Sequence, residues 1–251
     1  MTTRVEIVDL GRQRYADTLE LQRTLRQRRL DGSLPHDVLL LVEHEPVYTL
    51  GRGTHASSLP RPVDELRAMG ADVVEIERGG DVTWHGPGQL VGYPIVHLSA
   101  HREDLHWYLR TLEATLIGAL ATLDVGGERS AGQTGVWVQG RKIASIGIHV
   151  RQWVTLHGFA LNVDPDLRWF DAIVPCGIQG VAMTSVASER PSSGRIPQLW
   201  DATIAAVTAA FGRQFSRAPH AATLDALLSP NETSLLQAEI AGLRNGLAHL
   251  P

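Results

Sequence analysis

The chain has 251 residues, a length that favours one α/β domain with a short appendage. Its 43% hydrophobic and 20% charged residues are close to globular averages, and 24 Gly with 13 Pro exclude a collagen-like or low-complexity chain. The net charge of −4 argues against a dedicated nucleic-acid-binding protein. No apolar run approaches the ~20 residues that span a bilayer, and the first residues lack the apolar core of a signal peptide, so we expect a cytoplasmic protein.

In the first half of the chain, apolar runs of strand length alternate with helical patterns. The predicted strands are 5–10, 37–43, 46–50, 72–77 and 90–98, and the predicted helices are 13–30, 60–69 and 102–123. Ser99 is the expected N-cap of the last of these helices.

The second half begins with three β-like segments at 136–138, 143–150 and 154–163, which short polar turns separate. This spacing predicts antiparallel hairpins. A loop at 191–194, a helix at 198–211 and one or two further helices from 221 to the end follow. Because strands and helices mix without regular βαβ alternation, the expected fold class is α+β (mixed α/β), with a mixed sheet flanked by helices.

Two residues with side chains suited to catalysis occur only once each in the chain. Cys176 is the only cysteine, so it forms no internal disulfide and is either an inert core thiol or a nucleophile. Lys142 is the only lysine in a chain that otherwise uses arginine. It is either a leftover of codon bias or a position that needs a cation able to lose its proton, which arginine effectively cannot do.

Four segments are candidates for a site: 78–89, 141–147, 155–163 and 175–178. The loop from 78 to 89 contains four glycines together with Arg78, His85 and Gln89, but it matches neither a P-loop nor a dinucleotide-binding motif. It is either a ligand loop or a simple connection between strands. Pro175 and Gly177 place the only thiol in a tight, non-helical turn. The eleven histidines form no metal-binding motif, so no metal site is predicted.

Four segments together resemble the octanoyltransferases of lipoate biosynthesis, the lipoyl(octanoyl) transferases. They are RGGDVTWHGPGQLVGYPI at 78–95, GRKIASIG at 140–147, RQWVTLHGFALNV at 151–163 and DLRWFDAIVPCGI at 166–178. Their order and spacing fit the family over 5–212, and four linked motifs are more specific than one glycine loop. The resemblance implies a single catalytic domain over 1–216 with the fold of biotin and lipoate protein ligases. A helical C-terminal extension of unknown role would occupy 217–251.

The resemblance also implies the reaction. In the family, octanoate arrives as a thioester on acyl carrier protein, and the cysteine, here Cys176, attacks it to give an acyl-enzyme. The lysine, here Lys142, favours the thiolate and serves as acid and base. The octanoyl group then passes to a lysine of a lipoyl domain, in 2-oxoacid dehydrogenase complexes or in the glycine cleavage H protein. No ATP, cofactor, metal, nucleic acid or membrane is implied.

By residue-to-residue match, the family's substrate-binding positions fall on three short segments. They are Arg78, Gly79, Gly80, Asp81, Val82, Thr83, Trp84 and His85, then Ser145, Ile146 and Gly147, then Gly158, Phe159 and Ala160. Such small, backbone-rich segments suit a slot for an extended acyl chain and its carbonyl.

Three other functions stay open at this stage. An ATP-dependent lipoate or biotin ligase would share the fold but would not need Cys176. A thioester hydrolase could pair Cys176 with His85 or His157. A carrier-binding module would bind without turnover. For an acidic carrier, the arginine-rich first thirty residues offer a candidate docking surface that includes Arg26, Arg28 and Arg29.

Overall fold

A large mixed sheet is the frame of the molecule, which a computed structural model describes over residues 3–190 and 198–228. The strands are β1 (Arg4–Gln13), β2 (Asp37–His44), β3 (Val47–Leu50), β4 (Asp72–Glu75), β5 (Thr83–His85), β6 (Gln89–Ile95), β7 (Glu128–Ser130), β8 (Gln133–Val138), β9 (Arg141–Arg151), β10 (Val154–Asn162) and β11 (Ala218–Ala221). The helices are α1 (Tyr15–Leu30), α2 (Val63–Ala68), α3 (Leu105–Ala121), α4 (Val186–Glu189), α5 (Leu199–Phe215) and α6 (Leu224–Leu227).

Strand pairing confirms the predicted fold class. Eight strands form one sheet in the order β11-β1-β2-β6-β10-β9-β8-β7. β1 runs parallel to β2 and β11, whereas the neighbours from β2 to β7 are antiparallel. The strands β4, β3 and β5 form a small second sheet in that order. A sheet of mixed direction with helices on its faces is an α+β architecture.

Side-chain alternation along β2 divides the apolar core into two layers. Leu39 and Leu41 pack in the cluster that includes α3 and α5, whereas Leu40 packs on the opposite face with α1. All three leucines are fully buried. Each contributes about 1.5–3 kcal/mol of burial free energy. The continuous apolar run of β2 therefore specifies a central strand that is covered on both faces.

The start of α3 differs from the expectation from sequence. Asp104 is the N-cap, because its carboxylate accepts the backbone N–H of Trp107 at 3.0 Å. The predicted cap, Ser99, lies in a separate short turn, and its hydroxyl donates to Glu103 at 2.5 Å. The other strands and helices predicted between 5 and 211 are present with shifted ends, except that the predicted loop at 191–194 lies outside the described residues. None of the described helices is long and apolar enough to cross a bilayer.

The small sheet includes β5, a short strand inside the glycine-rich segment, residues 78–89, which the sequence predicted as a loop. β5 pairs antiparallel with β3, with Trp84 opposite Tyr48. Trp84 is fully buried, and its ring stacks on that of Trp169 at 5.7 Å between centroids. Since side chains alternate along a strand, Thr83 and His85 face the other side. This alternation assigns Trp84 to the core and its two neighbours to the cavity described below.

The chain after residue 217 returns to the main sheet. Residues 218–221, predicted as part of a helical extension, instead form β11, which pairs in parallel with β1. Their exposed side chains carry no apolar alternation, so the sequence gives no strand signal, and the pairing rests on backbone hydrogen bonds. The segment 229–251 lies outside the described residues, and the helices predicted there stay a prediction.

One arginine of the predicted docking surface is structural. Arg29 is buried, and its guanidinium donates to Asp37 at 3.0 Å and to the Leu34 carbonyl at 2.7 Å. Asp37 also accepts from His101 at 2.7 Å. These bonds join α1, β2 and the turn before α3, so Arg29 belongs to the frame of the fold and not to a docking surface.

Candidate active site

The only cysteine lies at the tip of a strained turn. Cys176 has φ 56° and ψ 21°, a left-handed conformation that costs a residue with a Cβ roughly 1–2 kcal/mol. Its backbone N–H donates to the Val82 carbonyl at 3.0 Å. Gly177 has φ 67°, and a Cβ there would lie 2.6 Å from Asp81 Oδ2. The glycine is therefore required both by its backbone conformation and by the carboxylate that packs against it.

The only lysine lies beside this thiol. Lys142 is 2% exposed, and its Nζ lies 3.2 Å from Cys176 Sγ. The hydroxyl of Ser145 lies 3.7 Å from the same sulfur. On the other side, Nζ lies 5.3 Å from the ring centroid of Trp137, within the range of a cation–π interaction. The amine of Lys142 therefore lies within reach of both an aromatic ring and the thiol.

The backbone of Lys142 is fixed from the side opposite β8. Its N–H donates to the Ala182 carbonyl at 2.8 Å, and its carbonyl accepts the N–H of Thr184 at 2.9 Å. The Thr184 carbonyl accepts from Asn162 at 2.9 Å, and Asn162 Oδ1 accepts from Gln89 at 3.0 Å. This buried network links the segment after the cysteine to the strands that carry the glycine-rich segment.

A cavity of about 270 Å³ opens beside Lys142 and Cys176. Its walls come from the glycine-rich segment, β6, β9, β10, the start of α1, Gly132 with the first residues of β8, and the cysteine turn. They are lined by Tyr15, Arg78, Gly80, Asp81, Thr83, His85, Val91, Tyr93, Gly132, Gln133, Thr134, Lys142, Ser145, Ile146, Gly147, His157, Gly158, Phe159, Ala160, Cys176 and Ile178. Gly147 and Gly158 face each other on β9 and β10 and allow close packing at the wall: a Cβ at Gly147 would lie 2.5 Å from Arg78 Cδ, and one at Gly158 would lie 2.2 Å from the Gly92 carbonyl oxygen.

Arg78 organises the glycine-rich wall of this cavity. Its guanidinium is buried and donates to the carbonyls of Thr49, Gly79 and Asp81, at 3.0, 3.0 and 2.8 Å. Burial lowers the pKa of Arg78, and nearby groups that include Cys176 oppose this shift. Arg78 therefore both shapes the loop and lies within electrostatic reach of the thiol.

Asp81 places a negative charge near the cysteine turn, and the surrounding groups bind it. Its Oδ1 accepts the backbone N–H of Val82 at 2.6 Å, and its Oδ2 accepts the hydroxyl of Ser58 at 2.5 Å. Both carboxylate oxygens are thus satisfied by donors other than Lys142. The carboxylate supports the turn through packing against Gly177, and it leaves the ammonium to the thiol.

The far end of the cavity contains histidines that burial keeps neutral. Burial lowers the pKa of His85 and of His157 to about 3 in each case. His85 Nδ1 lies 2.7 Å from Gln89 Oε1, and His157 Nδ1 lies 3.4 Å from the hydroxyl of Tyr15. The Tyr15 ring stacks on that of His85 at 5.9 Å between centroids.

A third neutral histidine supports this far wall from behind. Burial lowers the pKa of His44 to about 4, and its Nε2 lies 2.7 Å from the hydroxyl of Tyr93. Burial also raises the pKa of Tyr93 well above its ordinary value, so this phenol is neutral too. The histidines and tyrosines of the far wall are consequently polar but neutral, and the nearby charge of Arg78 adds to the lowering of the pKa of His85 and His157.

Comparison with known proteins identifies the family. A family model described as the lipoyl protein ligase A/B catalytic domain matches residues 14–215. An octanoyltransferase of Synechococcus elongatus is 54% identical over 185 residues, which cover 74% of this chain and 78% of that protein. An octanoyltransferase of Geobacter sulfurreducens is 52% identical over 185 residues, covering 74% of this chain and 75% of that protein. This chain belongs to the octanoyltransferases.

Solved structures agree with the fold at much lower sequence identity. A putative lipoate protein ligase from T. acidophilum has a TM-score of 0.69 at 15% identity, covering 95% of this chain and 93% of that chain. A lipoate-protein ligase A bound with ATP has a TM-score of 0.69 at 16% identity, covering 95% of this chain and 94% of that chain. The octanoyltransferase chain therefore has the fold of the lipoate protein ligases, as the resemblance implied.

The structure brings most of the expected site of this octanoyltransferase together. The two residues predicted as catalytic are in contact, and all but three of the residues predicted to bind substrate line the cavity. The exceptions are Gly79, Val82 and Trp84. Gly79 donates its N–H to the Ile148 carbonyl, and Val82 accepts the N–H of Cys176, so both act through their backbones. Trp84 faces the core.

Several lining residues were not selected from the sequence. Val91 and Tyr93 of β6 lie inside the octanoyltransferase motifs, and Ile178 ends the cysteine motif. His157 was considered from sequence only as a partner of Cys176 in a hydrolase. Tyr15 and residues 132–134 lie outside the motifs. Nothing local marks them, because only the packing of α1 and β8 against the sheet brings them to the cavity.

The geometry also bears on the other functions considered from sequence. Among the described residues, the polar side chains within hydrogen-bond reach of Cys176 Sγ are those of Lys142 and Ser145. Instead, His85 Nδ1 is hydrogen-bonded to Gln89, and His157 Nδ1 is hydrogen-bonded to the hydroxyl of Tyr15. A Cys–His pairing is thus disfavoured. No group of three or more His, Cys, Asp or Glu in the described segments could hold a metal ion.

Proposed function

We propose that this octanoyltransferase acts in two steps through a thioester on Cys176, with acyl carrier protein as donor and the lysine of a lipoyl domain as acceptor. The observation that supports the proposal is the 3.2 Å separation of Lys142 Nζ and Cys176 Sγ at the wall of a cavity. A buried ammonium beside a thiol favours the thiolate, which is the nucleophilic form.

In the first step, the Cys176 thiolate attacks the carbonyl carbon of the octanoyl thioester. The carbon–sulfur bond to the carrier breaks, and the departing carrier thiolate takes a proton from the Lys142 ammonium. The products are the octanoyl-enzyme, a free carrier thiol and a neutral lysine. Since one thioester replaces another, the step is nearly balanced in energy and needs no nucleotide for activation.

In the second step, the amine of the acceptor lysine attacks the thioester carbonyl of the octanoyl-enzyme. An amide forms, the Cys176 thiolate departs, and the neutral amine of Lys142 takes the proton released by the attacking nitrogen. The thiolate–ammonium pair is thereby restored. This cycle requires a cation that can lose and regain a proton, which explains a lysine in a chain that otherwise uses arginine.

The donor would approach over an arginine-rich rim next to the cavity. Besides burial, which is the largest cause, the positive charges of Arg52, Arg26 and Arg151 lower the pKa of His149, and the single opposing charge is that of Glu77, so these groups lie close together. Arg52 and Arg151 are exposed. His149 lies two residues beyond Gly147, which lines the cavity. An acidic carrier would therefore meet positive charge beside the opening, although the whole chain is net negative.

Intact-protein mass spectrometry tests the covalent step. We expect that octanoyl-acyl carrier protein without acceptor adds one octanoyl group to the wild-type chain and none to Cys176→Ser. Adding a lipoyl domain should discharge the adduct, and steady-state kinetics should be ping-pong. Transfer that proceeds with no adduct on the cysteine would contradict the proposal. Pyrophosphate release from ATP and octanoate, which a ligase would produce, is not expected.

A further inference from the structure

A buried carboxylate lies behind the reactive pair and takes no part in the two transfer steps. Glu113 of α3 has no exposed surface. Its Oε2 accepts from Arg110 at 2.6 Å and from Arg129 at 2.9 Å. Its Oε1 accepts the backbone N–H of Gly135 at 3.2 Å. The arginines compensate the buried charge, and the second oxygen is left to bind a backbone group of β8.

Gly135 connects this carboxylate to Lys142. Its φ of +134° is one that residues with a side chain rarely adopt. A Cβ at Gly135 would lie 2.6 Å from the Ala144 carbonyl oxygen, 3.0 Å from Lys142 Cε and 3.6 Å from Nζ. The Gly135 backbone is therefore packed against the end of the lysine side chain. Any shift of this backbone changes the space available to the ammonium.

The hydrogen bond that Glu113 accepts from Gly135 holds a part of β8 that is not paired with β9. The pairs between β8 and β9 run from Val136 to Val138, with Val136 opposite Ala144. Gly135 precedes the first of these pairs, and the residues before it, 132–134, line the cavity. A single carboxylate thus bonds β8 at the point where its pairing with β9 ends and its cavity-lining residues begin.

We propose that Glu113 is a positioning residue for Lys142. By accepting the Gly135 N–H, it fixes the backbone that keeps the lysine ammonium against the thiol of Cys176. This inference rests on the proposed role of Lys142 as the ammonium partner and proton carrier. It predicts that the reactivity of the Cys176 thiol depends more on the length of the side chain at position 113 than on its ion pairs with the two arginines.

Three variants separate reach from charge and from stability. Glu113→Asp keeps the charge for the arginines but is one methylene too short for Gly135. Glu113→Gln keeps an oxygen for Gly135 but loses the charge. Arg110→Gln is the matched control, because it removes one ion pair and leaves the bond to Gly135. For each variant, the rate of alkylation of the single cysteine is measured against pH, together with octanoyl transfer and the melting temperature.

We expect Glu113→Asp to move the midpoint of the alkylation profile upward by about 0.5–1 pH unit, because a displaced ammonium stabilises the thiolate less. Its kcat should fall about tenfold, with an unchanged KM for the carrier, which docks elsewhere. Glu113→Gln and Arg110→Gln should lose thermal stability but keep the wild-type midpoint. A wild-type midpoint and kcat in Glu113→Asp would show that Glu113 only stabilises the fold.

Gly135→Ala keeps the test decisive if Glu113→Asp does not fold. The added methyl group would crowd Lys142 directly, so the same upward shift of the midpoint is expected, and an unchanged midpoint would overturn the route through Gly135. The outcome is also distinct from that of the proposed function. A wild-type chain that forms no octanoyl adduct contradicts the covalent mechanism, whereas normal adduct formation with unshifted variants contradicts only the role of Glu113.

Discussion

The two ends of the cavity differ in how they accommodate titratable groups. At the reactive end, Lys142 and Cys176 lie 3.2 Å apart, and Arg78 lies within electrostatic reach of the thiol. At the far end, His85 and His157 are buried without a carboxylate bonded to them, and burial lowers the pKa of each to about 3. One end places a lysine against the thiol, and the other keeps its histidines neutral, with Arg78 within electrostatic reach of both ends.

This difference teaches what each end can bind. A buried charge is tolerated only beside a compensating group, so the reactive end can hold a thiolate and stabilise the charge that develops during transfer. A neutral wall loses less hydration free energy when an apolar chain displaces water from it. In the proposed reaction, we expect the acyl chain to lie against the neutral groups of the far end.

The largest expected effect is loss of the nucleophile at the charged end. Cys176→Ser should reduce octanoyl transfer by about 10⁴-fold, because a serine hydroxyl remains protonated beside Lys142. The variant should fold normally, since the side chains are nearly isosteric, and circular dichroism and melting temperature check this. Normal transfer by a well-folded Cys176→Ser chain would falsify the covalent mechanism.

The next effect separates charge from proton transfer at the same end. Lys142→Arg keeps a cation beside the thiol, so alkylation of Cys176 should stay within a few-fold of wild type. Transfer to the acceptor lysine should fall about 10²–10⁴-fold, because a guanidinium does not take up the released proton.

Lys142→Gln is the companion variant, in which alkylation and transfer should both fall because the charge is lost as well. If alkylation and transfer instead fell together in Lys142→Arg, the role of the lysine would be electrostatic or positional rather than that of an acid and base.

The neutral end predicts a loss of stability in acid. The pKa of His85 in the folded chain is about 3, below its ordinary value of 6.5, so the unfolded chain binds its proton first as the pH falls. The stability contributed by the neutral histidine is complete above pH 6.5 and is lost progressively towards pH 3. For each such histidine, the free energy of unfolding should fall by about 1.4 kcal/mol per pH unit in this window.

Urea unfolding between pH 7 and pH 4 measures this slope. His85→Gln should reduce this slope by the contribution of one proton, about 1.4 kcal/mol per pH unit. His106→Gln, a change at an exposed histidine of α3, should leave the slope unchanged. Equal slopes in wild type and His85→Gln would mean that His85 is not held neutral in the folded chain.

The smallest expected effect lies outside the cavity, on the arginine-rich rim. Replacing both Arg52 and Arg151 with Glu should raise the KM for acyl carrier protein about three- to tenfold at low salt and weaken its salt dependence. Alkylation of Cys176 should not change, since the rim does not contact the thiol. An unchanged KM at low salt would remove this surface from donor docking.

Much of the fold could be predicted from the sequence because its signals are local. The apolar run of β2 and the four-residue spacing of Leu112, Leu116 and Leu120 in α3 each express a periodicity that burial enforces. Caps and edge strands were harder. Ser99 has the right chemistry for an N-cap and yet bonds elsewhere, and β11 is held by its backbone without a side-chain pattern.

The sequence by itself determined the family, through four motifs in a fixed order, and it selected the single Cys176 and the single Lys142 as the predicted catalytic residues. Only the tertiary structure decided the geometry between them. Contacts such as Lys142 with Cys176, 34 residues apart, or Tyr15 with His157, 142 residues apart, depend on strand register and on how the helices cross the sheet. The physical reason is that local propensity fixes the path of each element, whereas side-chain distances across the cavity follow from how all the elements pack together.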